Sequence, residues 1–89
     1  MISRAIEVYG RVQGVGFRYY TKQKAHQIHI NGNVQNRGDG SVYIEASGNA
    51  DDMDLFISFC RIGPSASKVD DLQVKAISTK SFSSFEIIR

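Results

Sequence analysis

The sequence predicts an α+β sandwich: two helices on one face of a four-stranded antiparallel sheet, with a short extra strand at the carboxyl end. Three observations carry this expectation. Segments of period-two hydrophobicity and segments of helical hydrophobicity follow one another in the order βαββαβ. Glycine, proline and asparagine fall mainly between those segments, where the chain must turn. Finally, 89 residues, 42% hydrophobic and 22% charged, have the size and composition of one small globular domain, residues 1–89, with no repeat or low-complexity stretch.

In order, a strand is expected at 4–12, where Ile6, Val8 and Val12 alternate with Glu7, Tyr9 and Arg11 as on a half-buried surface. Phe17, Thr21, Ala25 and Ile28 then recur at helical spacing over 17–28. Strands at 32–36 and 41–47 are joined by Arg37-Gly38-Asp39-Gly40, a hairpin turn. Alternation puts Val34 and Asn36 on the helix side of the sheet and Asn33 on the open side. A helix at 50–62 gathers Met53, Phe56, Ile57 and Cys60 on one face, and Asp51, Asp52 and Asp54 suit its positive amino end. Gly63-Pro64 stops it. A strand at 68–77, a polar loop from Ser78 to Ser84 and an apolar end, Phe85 to Ile88, complete the chain. The order is that of the ferredoxin-like sandwich. It places the first and third strands in the middle of the sheet and makes the second an edge that ends at Asn36. Such a fold alone assigns no function.

The stretch that bears chemistry is the passage from the first strand into the first helix. Between Gln13 and Gly16 the hydrophobic period changes from strand to helix, and Gly14 and Gly16 admit backbone conformations closed to other residues. Successive N–H groups of Gln13, Gly14, Val15, Gly16, Phe17 and Arg18 can then converge, backed by the unpaired N–H groups and positive end of the helix, to form a cradle for a phosphate or carboxylate. Arg18 stands beside it with a planar guanidinium that can hold two oxygens at once. Glycines also serve as plain connectors and a first-turn arginine can be merely solvated. Asn36 carries the same ambiguity: its amide can reach the loop across the sheet, or serve as an ordinary turn asparagine.

Gly-Arg-Val-Gln-Gly-Val-Gly-Phe-Arg at 10–18 closely resembles the signature of the acylphosphatases, small enzymes that hydrolyse carboxyl phosphates. Gly32-Asn33-Val34-Gln35-Asn36, followed by Asp39-Gly40-Ser41-Val42, is similar to that family's second segment, and weaker matches at Gly48, Gly63-Pro64 and Phe85-Glu86-Ile87 extend the resemblance over nearly the whole chain. The resemblance implies a small acyl phosphate as substrate and inorganic phosphate as product or inhibitor. It also implies that Arg18 and the 13–18 loop amides hold the phosphoryl group while Asn36 orients the attacking water. The chain departs from the family pattern at Asn33, where an aromatic is frequent, at His29, where glycine is frequent, and at Ser67, where alanine is frequent. Asn33 is expected to change packing on the open face only. His29 is expected to cost stability if its backbone must be left-handed.

Other features narrow the chemistry. A net charge of +2, evenly spread, suits small anions better than nucleic acid. An RNA-binding module of this fold would show stacked aromatics on its middle strands, where only Tyr43 and Tyr9 stand. No leader-like or long apolar segment occurs, so no membrane span is expected and a cytoplasmic, monomeric protein is the default reading. The lone Cys60 reads as a core residue. His26 and His29 lack evident partner ligands, so neither metal nor cofactor is expected. A non-catalytic phosphate- or small-molecule-sensing module is the alternative function. A similar motif also occurs in a domain of hydrogenase-maturation carbamoyltransferases, within a much longer chain.

Overall fold

The structure, a computed structural model, describes residues 1–89. Its elements are β1 (Ile2–Arg11), α1 (Phe17–Gln27), β2 (Asn31–Asn36), β3 (Val42–Gly48), α2 (Ala50–Ile62), β4 (Lys68–Ala76) and β5 (Phe85–Ile88). Each lies within two residues of the boundary expected from hydrophobic period. The strands form one sheet in the order β4-β1-β3-β2-β5. As expected for a ferredoxin-like sandwich, β1 and β3 are central and antiparallel, with Ile6 opposite Ile44.

One expectation is corrected. β2 is not an edge, because β5 lies parallel to it, with Gly32 opposite Phe85 and Gln35 opposite Ile88. The sheet is therefore five-stranded and mixed. The chain reaches β5 from β4, at the opposite edge, by crossing one end of the sheet, and hydrogen bonds to successive strands carry it. Ile77 N–H donates to the Ser3 carbonyl on β1 at 3.2 Å, and the Lys80 N–H donates to Ser3 Oγ at 3.1 Å. Ser47 Oγ on β3 then donates to the Lys80 carbonyl at 3.0 Å. Asn31 Nδ2 and Gly32 N–H, on β2, donate to the carbonyls of Phe82 at 3.3 Å and Ser84 at 2.9 Å. Each step satisfies backbone groups that a loop packed against a sheet would otherwise leave without partners.

The core lies between the sheet and the two helices. Ile6, Val8, Val34 and Ile44 from the sheet meet Phe17 and Ala25 of α1 and Met53, Phe56 and Cys60 of α2, all buried. Phe85 brings β5 into the same core through an edge-on contact with Phe56, ring centroids 5.9 Å apart, a geometry that favours aromatic pairs. Burial pushes the Cys60 thiol up to about 12, which removes it from thiolate chemistry and agrees with the core reading.

The helix ends differ in a telling way. Asn49 caps α2, its side-chain oxygen accepting the Asp52 N–H at 2.8 Å. α1 begins at a left-handed Gly16 with no side-chain cap and no acidic residue in its first turn, so its amino end is left bare. At its other end, Ile30 N–H donates to the Ala25 carbonyl at 2.9 Å, the six-to-one bond of a Schellman motif. That motif places His29 at φ 59°, the condition under which a side chain there costs stability. A side chain there costs roughly 1–2 kcal/mol, part of which glycine would return through its freer unfolded chain. His29→Gly should therefore stabilise the protein by about 0.5–1 kcal/mol and raise its melting temperature by several degrees; a lowered melting point in a thermal scan would contradict this account of the helix end.

Candidate active site

Two glycines shape the junction between β1 and α1. Gly14 and Gly16 have φ 73° and 80°, and a Cβ built on either would meet nothing within 4 Å. The requirement for glycine here is thus one of backbone handedness and not of crowding. None of the turn, loop and cap hydrogen bonds of the backbone starts from an N–H of residues 13–16, and the first-turn N–H groups of α1 have no cap. A run of donors at a positive helix end is left open, which is the electrostatics an anion seeks. Directly behind it Phe17, 1% exposed, seats the start of α1 in the core. Its ring packs so closely on Gly63 that a Cβ at that glycine would lie 2.9 Å from it.

These donors open onto a cavity of about 210 Å³, with Gly14, Gly16, Arg18 and Asn36 on its wall. Its size is below the roughly 300–1,000 Å³ of pockets for drug-sized ligands, so it suits a small molecule. Arg18 takes part in none of the protein's ion pairs, which join Lys22 to Glu86, Arg37 and Lys75 to Glu7, and Lys80 to Glu45. Its charge is uncompensated at the cavity.

Asn36 reaches the cavity from β2, on the helix side with Val34, as alternation requires. Its Oδ1 is buried with no hydrogen-bond partner in the protein. Native structures seldom leave such an atom unpaired, because the omission costs about 1–3 kcal/mol. The turn role that Asn36 could have played is filled by Asp39. Its Oδ1 accepts the Ser41 hydroxyl at 2.6 Å and the Ser41 N–H at 2.9 Å. Those bonds, the hydroxyl's first, hold the Asp39 carboxyl below its usual range.

Of the six loop residues expected at the site, Gly14, Gly16, Phe17 and Arg18 line the cavity, while Gln13 and Val15 do not. Val15 packs against the core. The Gln13 side chain turns to the hairpin, where its Nε2 donates to the carbonyls of Arg37 and Ser41, both at 2.8 Å. It ties the cradle to the turn that follows Asn36, a link the sequence does not display because the partners are carbonyls 24 and 28 residues away. The wall also carries Val12, Tyr19, Ile87 and Arg89, four residues that the sequence did not mark for the site. Ile87 lies on β5 and Arg89 directly follows it, and hydrophobic period alone does not give the place of β5 in the sheet.

The fold and the bare, arginine-flanked helix start define a ferredoxin-like α+β protein with a cradle complementary to a small anion. The chain belongs to the acylphosphatase family: that family's model matches residues 4–87. It is 46% identical to an acylphosphatase of Mannheimia succiniciproducens and 42% identical to one of Archaeoglobus fulgidus, each match covering 98% of both chains. Among solved structures, that of an acylphosphatase from Bacillus subtilis superposes with a TM-score of 0.97 at 38% identity, over the full length of both chains. The chain is thus an enzyme that hydrolyses acyl phosphates.

The Gln13 link carries its own test. Gln13→Ala should cost about 1–2 kcal/mol, as expected for two lost hydrogen bonds to partly buried carbonyls, read as a lower urea midpoint with an unchanged slope. An unchanged midpoint would mean that the cradle holds its shape without the hairpin.

Proposed function

We infer that catalysis is direct attack of water on a phosphoryl group held by Arg18 and the N–H groups of the 13–18 loop, with Asn36 orienting the water. The observation that carries this reading is that Asn36 lies on the wall of the cavity that Arg18 shares, with its buried Oδ1 committed to no donor of the protein. In this reading a small turn of the amide presents that oxygen to water, accepts a hydrogen from it and aims the water's lone pair at phosphorus. The water oxygen bonds to phosphorus as the bond from phosphorus to the acyl oxygen breaks. The electron pair leaves on the carboxylate, and the water's proton passes to the phosphoryl oxygens or to solvent. The products are a carboxylate and inorganic phosphate.

The leaving group accounts for the simplicity of the site. A carboxylic acid has a pKa near ~4, so its anion departs without a general acid. Catalysis then reduces to positioning and to stabilising charge on the phosphoryl oxygens. The guanidinium and the converging N–H groups supply positive charge in fixed geometry, and no group of three metal-binding side chains gathers anywhere in the protein. Turnover of acetyl phosphate should therefore survive exhaustive chelation. A large loss, restored by magnesium, would refute this distribution of roles.

The two side chains should fail in different ways when removed. Arg18→Ala should lose both turnover and the rise in melting temperature that phosphate gives by binding the folded state, and Arg18→Lys should stay largely inactive because an ammonium does not replace a two-point clamp. Asn36→Ala should bind phosphate almost normally yet fall in kcat by roughly a hundredfold or more, on the order of 3 kcal/mol. Its melting temperature should hold or rise, since an unpaired buried oxygen is removed. Asn36→Asp should not rescue activity, because a negative charge beside the phosphoryl group opposes attack. Full activity in Asn36→Ala would reduce the site to Arg18 and the loop, and equal rates in Arg18→Ala and the wild type would end the reading altogether.

A further inference from the structure

We propose that Arg89 is a second anion-holding residue of the site, closing on the phosphoryl group from the β5 side. The proposal rests on the phosphoryl-binding reading above and adds to it a side chain that the loop motif does not contain. Arg89 follows directly on the parallel pairing of β2 with β5. Since Gln35 stands opposite Ile88, the next position along places Arg89 beside Asn36. The faces agree: Val34 and Ile87 both pack into the core, and Ile88 is turned out at 40% exposure. Asn36 and Arg89 therefore share the helix side, and both lie on the wall of the cavity. Like Arg18, Arg89 enters no ion pair. No acidic side chain lines the cavity. Two guanidiniums without an ion-pair partner and a bare helix end thus face one space.

The direction of attack assigns Arg89 to the phosphoryl group and not to the acyl part of the substrate. Water and leaving group stand roughly in line on opposite sides of phosphorus, so the acyl group departs away from Asn36. Arg89 adjoins Asn36 at the separation of neighbouring strands, about 4.8 Å. It stands on the side from which water comes, where a cation offsets the repulsion between the phosphoryl oxygens and the incoming lone pair.

The test uses inorganic phosphate and acetyl phosphate as probes. Arg89→Gln should weaken phosphate binding, read from the concentration dependence of the melting temperature, by roughly tenfold, the scale of one charge-assisted contact. It should raise the KM for acetyl phosphate by a similar factor and leave the melting temperature without phosphate unchanged. Arg89→Lys should recover part of both effects, because the charge is kept and the planar fork is lost. Lys75→Gln removes a cation from β4, at the far edge of the sheet, and should alter neither. Phosphate affinity and KM within twofold of the wild type in Arg89→Gln would overturn the proposal, as would an equal loss in Lys75→Gln, which would mark a general field effect. The phosphate measurement does not depend on turnover. Failure of the wild type to hydrolyse acetyl phosphate would count against the reaction proposed above, while the binding arm would still decide the role of Arg89.

Discussion

The seating of Phe17 is the constraint on which the site depends. A helix that starts in the open would cap its first N–H groups with a side chain, as Asn49 does for α2. At α1 the residue that follows the left-handed Gly16 is instead driven into the core, 1% exposed against Gly63. Burial of a phenylalanine contributes about 1.5–3 kcal/mol, enough to fix the start of the helix without a cap. The N–H groups are then held in place but not used, and Arg18, one residue on, is directed to the cavity. The same side chain that stabilises the fold holds the loop proposed as the anion cradle, so no separate device is needed to fix it.

The opposite face of the sheet shows what the site is not. There the open strands carry charges paired with one another: Glu7 with Arg37 at 2.7 Å and Glu45 with Lys80 at 2.9 Å. The Lys80 ammonium first, and then the Tyr43 hydroxyl, hold the Glu45 carboxyl below its usual range. The Arg37 guanidinium lies 3.9 Å over the Tyr43 ring, and the Tyr43 hydroxyl donates to Glu45 at 2.8 Å. An aromatic covered in this way is not a platform for a nucleobase, and two carboxylates beside it would repel a phosphate backbone. Positive charge is left uncompensated on the helix side, where Arg18 and Arg89 meet the cavity.

What the sequence made legible follows from the range of each signal. Hydrophobic period is local, and it placed each strand and helix within two residues. The handedness of Gly14 and Gly16 was legible because glycine between a strand and a helix marks a turn that other residues seldom make, whereas that of His29 was open until the structure gave its φ of 59°. Asn36 was placed on the correct face by alternation alone. Relations between distant segments were not legible. Nothing in Phe85-Glu86-Ile87-Ile88 says that this strand runs parallel to β2, since that follows from a loop stepping across Ser3, Ser47 and Asn31. The edge assignment of β2 failed for that reason, and Ile87 and Arg89 were missed with it. Gln13 was read through its backbone, whereas its side chain binds carbonyls that leave no mark in composition.

The unpaired oxygen of Asn36 and the left-handed His29 invite opposite interpretations, although each costs about 1–3 kcal/mol in a domain whose whole stability is of order 5–15 kcal/mol. His29 is exposed at a helix end, away from the cavity, and glycine would satisfy the backbone there without affecting the site. Its strain has no counterpart in the chemistry. Asn36 differs because the cost falls on an atom that the protein could have paired: the Ser41 hydroxyl is committed to Asp39 and the Gln13 amide to two carbonyls, both close to the same hairpin. With the neighbouring donors engaged elsewhere, the oxygen that remains free belongs to a residue on the wall of the cavity. The mechanism proposed above gives that unsatisfied atom its partner: water approaching a phosphoryl group would supply the hydrogen that the fold withholds.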